Sequence, residues 1–414
     1  MCCVQVALAV FLLLCFTHSR SQLILDDVAE DDEDLSQPQP PAHPEPTDPM
    51  TKLLQWGVDN TDKNSLAERA KAIREGRAQP QKLDMEVMDA LFGGKVKFLQ
   101  TCVKNMEEAV SLGDEEKIVE ALHELEEEVT DIDNANDLDH ESVGGLEPVM
   151  KLLTHSSSKV RAAALWVVGT TVQSNPKAQK LLISKKNQGH DVLQLILLPI
   201  RESADSKMAA ADPKLLSKAL YALSTLVRGC YEAQQAFTDI QGPRDLVKFA
   251  AAVAALPAGP DADAWLPVRR KVVALVGDMA TERPDDEAAS AVAQAGTLQA
   301  IKSGLGGGGR QDTPSAAASV LAMLGASDRE LLEKALVTLL ALLQGEETAS
   351  AAGTILQGPA GASKIESTLK LARSHLARAG EDDDGASWEE VAVLAEKLVL
   401  AVRNATAVDG SAEV

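Results

Sequence analysis

Aromatic side chains are scarce: 4 Trp, 2 Tyr and 6 Phe make up 3% of 414 residues. A core this poor in large rings must be built from small and aliphatic residues. The long stretches of Ala, Leu and Val are helix formers, so the first expectation is an all-helical protein. Positive charge is also short. Forty Lys+Arg stand against 62 Asp+Glu, a net charge of −22, which excludes general nucleic-acid binding because polyphosphate would be repelled. Of five cysteines, Cys2, Cys3 and Cys15 crowd the start, leaving only Cys102 and Cys230. Two cysteines are no disulfide framework, so the fold must rest on its core; they either form one pair or stand as two buried thiols.

Catalytic signatures are missing too. His18, His43, His123, His140, His155, His190 and His375 are scattered, none at metal-ligand spacing from another His or Cys. His123-Glu124 opens like a zincin helix, but Glu127 stands where the second histidine is needed. There is no P-loop lysine and no nucleophile elbow. Gly304, Gly306 and Gly309 satisfy G-x-G-x-x-G without the strand that would give it meaning, and read as a flexible glycine linker. The expectation is a protein that is not an enzyme and uses no cofactor or metal.

What is present begins with Val4 to Phe16, 13 residues without a charge. That is too short to span a bilayer but suits a signal-peptide core, with Ser19 and Ser21 placing cleavage before Gln22. No later run is apolar enough for a membrane span. Residues 22–49 hold seven acids between Asp26 and Asp34 and six prolines between Gln37 and Pro49, which reads as a disordered acidic arm. Residues 50–137 read as an N-terminal helical cap region. Within it, Leu53, Leu54, Trp56 and Val58 form an apolar cluster, and Leu83 to Phe92 forms a short helix stopped by Gly93-Gly94. Two helices follow, Val96 to Val110 and Asp114 to Asp131. The second carries Ile118, Leu122, Leu125 and Val129 at helical spacing.

Over 138–403 a segment type recurs. SKVRAAALWVVGTTV, KLLSKALYALSTLVR, VRRKVVALVGDMATE and ELLEKALVTLLALLQG each place small and apolar residues in an A-L-x-x-L-like helix. The cores at Ala164, Ala219, Val272 and Ala335 are 55, 53 and 63 residues apart, longer than an ideal solenoid period, so loops must be inserted. Ala255 to Pro267 and the glycine-rich stretch of about 283–314 read as two such insertions. A stack of short helices closing on small side chains is an all-α, armadillo-like α-solenoid. Residues 404–414 form a tail, and Asn404-Ala405-Thr406 is a glycosylation sequon.

A solenoid without chemistry offers a concave surface lined by the third helix of each unit, on which i and i+4 project together. That spacing selects Trp166 and Thr170 in the first unit, then Tyr221, Thr225 and Arg228. Arg270, Asp278 and Glu282 follow in the third. Trp, Tyr and Arg dominate binding hot spots; Trp166 and Tyr221 are equally compatible with core positions when each is taken alone.

Several of these segments resemble one family. Asp133-Asn134-Ala135-Asn136-Asp137-Leu138, Gly144-Gly145-Leu146, Ser174-Asn175-Pro176-Lys177 and KALYALSTLVR at Lys218 to Arg228 resemble the armadillo-type nucleotide exchange factors of seventy-kilodalton heat-shock chaperones. The likeness extends over roughly residues 53–403. With the signal segment, it implies the endoplasmic-reticulum member, acting on the lumenal chaperone BiP. By that resemblance the concave face holds the second lobe of the chaperone's ATPase domain so that ADP leaves, with the factor a monomer on its own. Two departures stand out. The chain ends Gly410-Ser411-Ala412-Glu413-Val414, without a KDEL-like tetrapeptide, so retention in the lumen would depend on the resident chaperone or on an unrecognised signal. Thr170, Thr225 and Asp278 stand where peptide-binding armadillo proteins carry Asn, which argues against an extended-peptide receptor. The alternative is a generic armadillo scaffold for another lumenal or secreted partner.

Overall fold

Helices in this chain stop where the backbone reverses, not wherever glycine occurs. The computed structural model describes residues 62–77, 85–187, 190–209, 211–257, 262–282, 291–306, 315–324, 326–345, 348–377 and 384–409. The signal segment, the acidic arm and the Leu53–Trp56 cluster lie outside them. Chain contacts divide into two units, Met1–Lys82 and Leu83–Val414. In the first, helix α1 (Lys63–Arg74) starts on Asp62, whose carboxylate accepts from the Asn64 amide at 3.0 Å.

The second unit opens with α2 (Met85–Leu112), which runs unbroken through Gly93-Gly94. The stop expected there is therefore absent. A glycine inside a helix costs about 1 kcal/mol against alanine, and good helix formers on both sides carry the helix through. The helix ends at Gly113, whose φ of 68° suits glycine alone. There the Asp114 amide reaches the Ala109 carbonyl and the Gly113 amide the Val110 carbonyl, the paired bonds of a Schellman stop. Asp114 then caps α3 (Glu115–Glu128) by accepting from the Lys117 amide. The apolar stripe Ile118, Leu122, Leu125 and Val129 is buried as its spacing requires.

From here the helices come in threes. The sets are α4 (Ile132–Asp137), α5 (Leu146–Leu152), α6 (Ser158–Val172); α7 (Pro176–Ser184), α8 (Val192–Asp205), α9 (Pro213–Val227); and α10 (Tyr231–Asp239), α11 (Gly242–Ala254), α12 (Ala262–Thr281). Then come α13 (Ala291–Gly306), α14 (Ala316–Met323), α15 (Arg329–Gln344); and α16 (Ala349–Gln357), α17 (Pro359–Leu376), α18 (Asp384–Asp409). The strands described are β1 (Lys186–Asn187) and β2 (His190–Asp191), a two-residue antiparallel pair. Third helices pack in one row, α3 on α6 on α9 on α12 on α15 on α18. First helices pack α4 on α7 on α10 on α13, and second helices α8 on α11 on α14. This row-wise packing of three-helix units is the armadillo-like solenoid. The four repeat cores, Ala164, Ala219, Val272 and Ala335, sit fully buried in the third-helix row. Its first unit starts at Ile132, inside the stretch assigned to the cap region.

Part of each expected insertion is helical. Pro267 lies inside α12; it removes one helical hydrogen bond, while Val268, Val272, Val273 and Val276 bury the helix beyond it. Residues 291–306 of the glycine-rich stretch form α13, the first helix of the fourth unit. Its Leu298, Ile301 and Leu305 are buried at helical spacing, and a Cβ on Gly304 would come within 2.9 Å of Pro243. So Gly304 is a packing residue on a helix, not part of a linker. Residues 307–314 lie outside the described residues. Cys102 and Cys230 are free thiols, both buried.

Three of the segments that carry the family resemblance, 133–138, 144–146 and 174–177, form a clasp around the first unit. Asp131 caps α4, accepting from the Asp133 amide at 2.9 Å, and buried Asn134 donates to the Glu128 carbonyl at 3.0 Å. Leu138 accepts from the Gly145 and Leu146 amides, and a Cβ on Gly145 would stand 2.6 Å from Val103. Buried Asn175 caps α7 through the Ala178 amide and donates to Asn136 at 3.3 Å. These residues set the fold of the unit.

Candidate binding face on the third-helix row

All eight residues expected on the partner face belong to α6, α9, α12 or the turns that end them, so the structure gathers them along one row. It also ties most of them to one another. Thr170 is buried, 8% exposed, and donates to the Glu126 carboxylate of α3 at 2.7 Å. It is a joint between helices, not an outward residue. Tyr221 of α9 lies against Gly169, where a Cβ would stand 2.5 Å from the ring. Its hydroxyl donates to Gln173 at 2.7 Å and sits 3.3 Å from the Thr170 hydroxyl. Both hydroxyl hydrogens are committed elsewhere, so that last contact is weak.

Thr225 turns its hydroxyl back to the Tyr221 and Ala222 carbonyls of its own helix. Arg228 pairs with Asp278 of α12, Nε to carboxylate at 2.8 Å. Glu282 accepts from the Gly229 amide at 2.9 Å and the Gln234 side chain at 2.6 Å. Arg270 binds Asp328, the cap of α15, at 2.9 Å and Glu330 at 2.6 Å; this pair holds Asp328 below the usual carboxylate range. Asn404 is exposed near the end of α18.

Trp166 differs from the other seven. It is half-buried, with the His123 ring edge-on at 5.4 Å and the Lys218 ammonium 3.0 Å above its face. These groups belong to a groove of about 460 Å³ between α3, α6, α9 and α12. Lys159, Lys214 and Lys218 line it, with Asp212 as its one acid; Asp212 is engaged in capping α9. Burial, and then Lys271 nearby, push the Lys218 ammonium down to about 8. Burial also lowers Lys271, which donates to the Ser217 carbonyl and hydroxyl. None of His123, Lys159, Lys214 and Lys218 is among the residues that the sequence places on the partner face; in the sequence His123 stands out only as the start of a zincin-like motif. The available signal was Lys218 itself, a cation three residues before Tyr221 inside an apolar helix. Among the described residues no three His, Cys, Asp or Glu side chains converge as metal ligands, and no helix is long and apolar enough to cross a membrane.

Two family profiles match adjoining parts of the chain: "Nucleotide exchange factor Fes1" over residues 50–138 and "SIL1/FES1/HPBP1 C-terminal domain" over 134–303. A protein described as Hsp70 nucleotide exchange factor FES1 from Saccharomyces cerevisiae is 30% identical over 201 residues, 47% of this chain and 60% of that one. The protein of the same description from Yarrowia lipolytica is 27% identical, over 48% and 61%. That from Gibberella zeae is 29% identical, over 46% and 82%. The chain thus spans about three fifths of the length of the first two relatives. A designed armadillo repeat protein is similar over 73% of this chain and 99% of its own, at 15% identity and a TM-score of 0.45. The second profile runs from α4 to α13 and so takes in α6, α9 and α12, three of the four helices around the groove. With the two profiles meeting end to end across more than half of its length, the chain belongs to the Fes1/SIL1/HPBP1 family.

Proposed function

We propose that this protein is a non-catalytic nucleotide exchange factor for a seventy-kilodalton chaperone of the endoplasmic-reticulum lumen, of the BiP class. The observation that carries the reading is that the family's C-terminal domain, residues 134–303, contains α6, α9 and α12, the middle of the third-helix row and the helices that bear the expected partner face. The uncharged Val4–Phe16 segment and the sequon at Asn404 support the lumenal assignment. The row binds the chaperone's ATPase domain more tightly in its open, nucleotide-free state than in its ADP-closed state, and this difference drives ADP out. A ~1000-fold faster release requires about 4 kcal/mol of such preference, within reach of an ordinary interface with a few aromatic and cationic anchors.

The test is release of a fluorescent ADP analogue from the purified lumenal chaperone. Faster release on adding this protein supports the reading, and an unchanged off-rate overturns it. Running a cytosolic chaperone in parallel decides the compartment: equal or greater acceleration there removes the BiP-class assignment.

A further inference from the structure

The groove around Trp166 is cationic in a chain with 62 acidic and 40 basic residues. Three lysines face it, and its one carboxylate, Asp212, is spent on the Lys214 and Leu215 amides at 2.9 and 3.4 Å. Lys218 is the telling member. Its ammonium is half-buried above an indole, with no carboxylate in ion-pair range among the described residues. The two arginines of the face are neutralised, Arg228 by Asp278, and Arg270 by Asp328 and Glu330, while Lys271 is held by the Ser217 carbonyl and hydroxyl. An ammonium held partly out of water and facing a cleft, with the buried Glu126 carboxylate acting on it but no ion pair made, is arranged for a counter-ion that arrives from outside.

We propose that this groove seats an acidic side chain from the partner protein's surface, with a carboxylate docking against Lys218 and the flanking Lys159 and Lys214 while its stem packs on Trp166. The proposal rests on the exchange-factor reading and names the partner chemistry of that face. A protein carboxylate fits better than a polyphosphate. The groove offers three cations over about 460 Å³, whereas the chain as a whole, at −22, repels an extended polyanion. The apolar lining from Ala162, Pro213 and Pro267 suits the methylenes of a Glu or Asp-bearing segment, not a chain of phosphates. Electrostatic matching of this kind acts mainly on encounter and selectivity.

The experiment measures binding of the full chain to the ATPase domain of the lumenal chaperone, at 50 and 300 mM salt, by surface-immobilised kinetics. Lys218→Glu is expected to weaken binding at least tenfold, mostly through the on-rate, and to flatten the salt dependence. Lys218→Met should have a smaller effect in the same direction. Lys159→Glu and Lys214→Glu, both at exposed positions, should each weaken binding severalfold with helicity unchanged, and they decide the matter should Lys218→Glu fail to fold. In the complex, acylation of Lys218 by a soluble active ester, read by mass spectrometry, should be suppressed. Wild-type binding by all three Glu variants at both salt concentrations overturns the groove assignment alone. A wild-type protein that neither binds nor speeds ADP release overturns the exchange-factor reading, and the groove assignment with it.

Discussion

Lys218 holds its ammonium 3.0 Å above the centre of the Trp166 indole. The contact joins α6 to α9 across a groove and keeps a partly desolvated charge beside an aromatic face. The attraction contributes about 1 kcal/mol and works against the burial that pulls the protonation of Lys218 down to about 8. The arrangement is therefore under electrostatic tension when the protein stands alone.

That tension has a pH signature. Lys218 binds its proton more weakly folded, near 8, than unfolded, near 10.5, so the unfolded state holds more protons between those values and stability rises with pH across that window. Allowing for solvent screening of a half-exposed group, the gain is about 1 kcal/mol. Lys271 is shifted the same way, and Cys102, raised by burial to about 11, opposes it. Subtraction isolates Lys218: urea unfolding at pH 7.5 and 10 should show wild type gaining on Lys218→Met as pH rises. A constant difference between the two proteins would remove the shift.

Gly169 and Tyr221 are predicted to be coupled. With a Cβ at position 169 only 2.5 Å from the Tyr221 ring, Gly169→Ala should cost about 1–3 kcal/mol through overpacking. In a double-mutant cycle, Tyr221→Leu should recover part of that cost. Additive losses measured by thermal or urea unfolding would show that the two helices do not close on each other there.

Asn175→Ala should destabilise the solenoid by about 1–2 kcal/mol. It removes the cap on α7 and strands the contact with Asn136. Asn175→Asp should be milder, since an Asp side chain still caps. By contrast, Arg228→Ala breaks an exposed pair with Asp278 and should cost under about 1 kcal/mol. Any loss of partner binding in Arg228→Ala then belongs to the surface, and circular dichroism would reveal a structural cause instead.

Thiol labelling checks the core. In the chain from Gln22 onward, Cys102 and Cys230 are the cysteines present. Both thiols are buried and pushed up by desolvation, Cys102 to about 11. A maleimide should leave both untouched for minutes at pH 7.5 and label two sites in urea. One rapid label in the native state would show that a wall of the core is open.

The repeat architecture was legible in the sequence because its cores are spelled in one idiom. Ala164, Ala219, Val272 and Ala335 are small side chains, and all four are fully buried in the third-helix row. What glycine concealed was the rest. Gly93-Gly94 and Gly304 read as breaks when seen locally, but α2 continues through the former and Gly304 sits in α13 against Pro243. Tertiary packing outweighs a propensity deficit of about 1 kcal/mol per glycine. At the face, the i, i+4 rule found the right helices but not the right exposure. Thr170 is sealed under the next helix, and Arg228, Asp278 and Glu282 join neighbours. No periodicity reveals which polar residues find partners fifty positions away.

The third-helix row has a mechanical consequence. Helices that touch there are neighbours in the stack, so strain entering at one joint is passed on only through the next. A small rotation repeated at each of five joints adds up to a large displacement between α3 and α18, while no single interface is much disturbed. The solenoid thereby acts as a spring whose stiffness is set joint by joint, by ties such as Glu126–Thr170, Arg228–Asp278 and Arg270–Asp328.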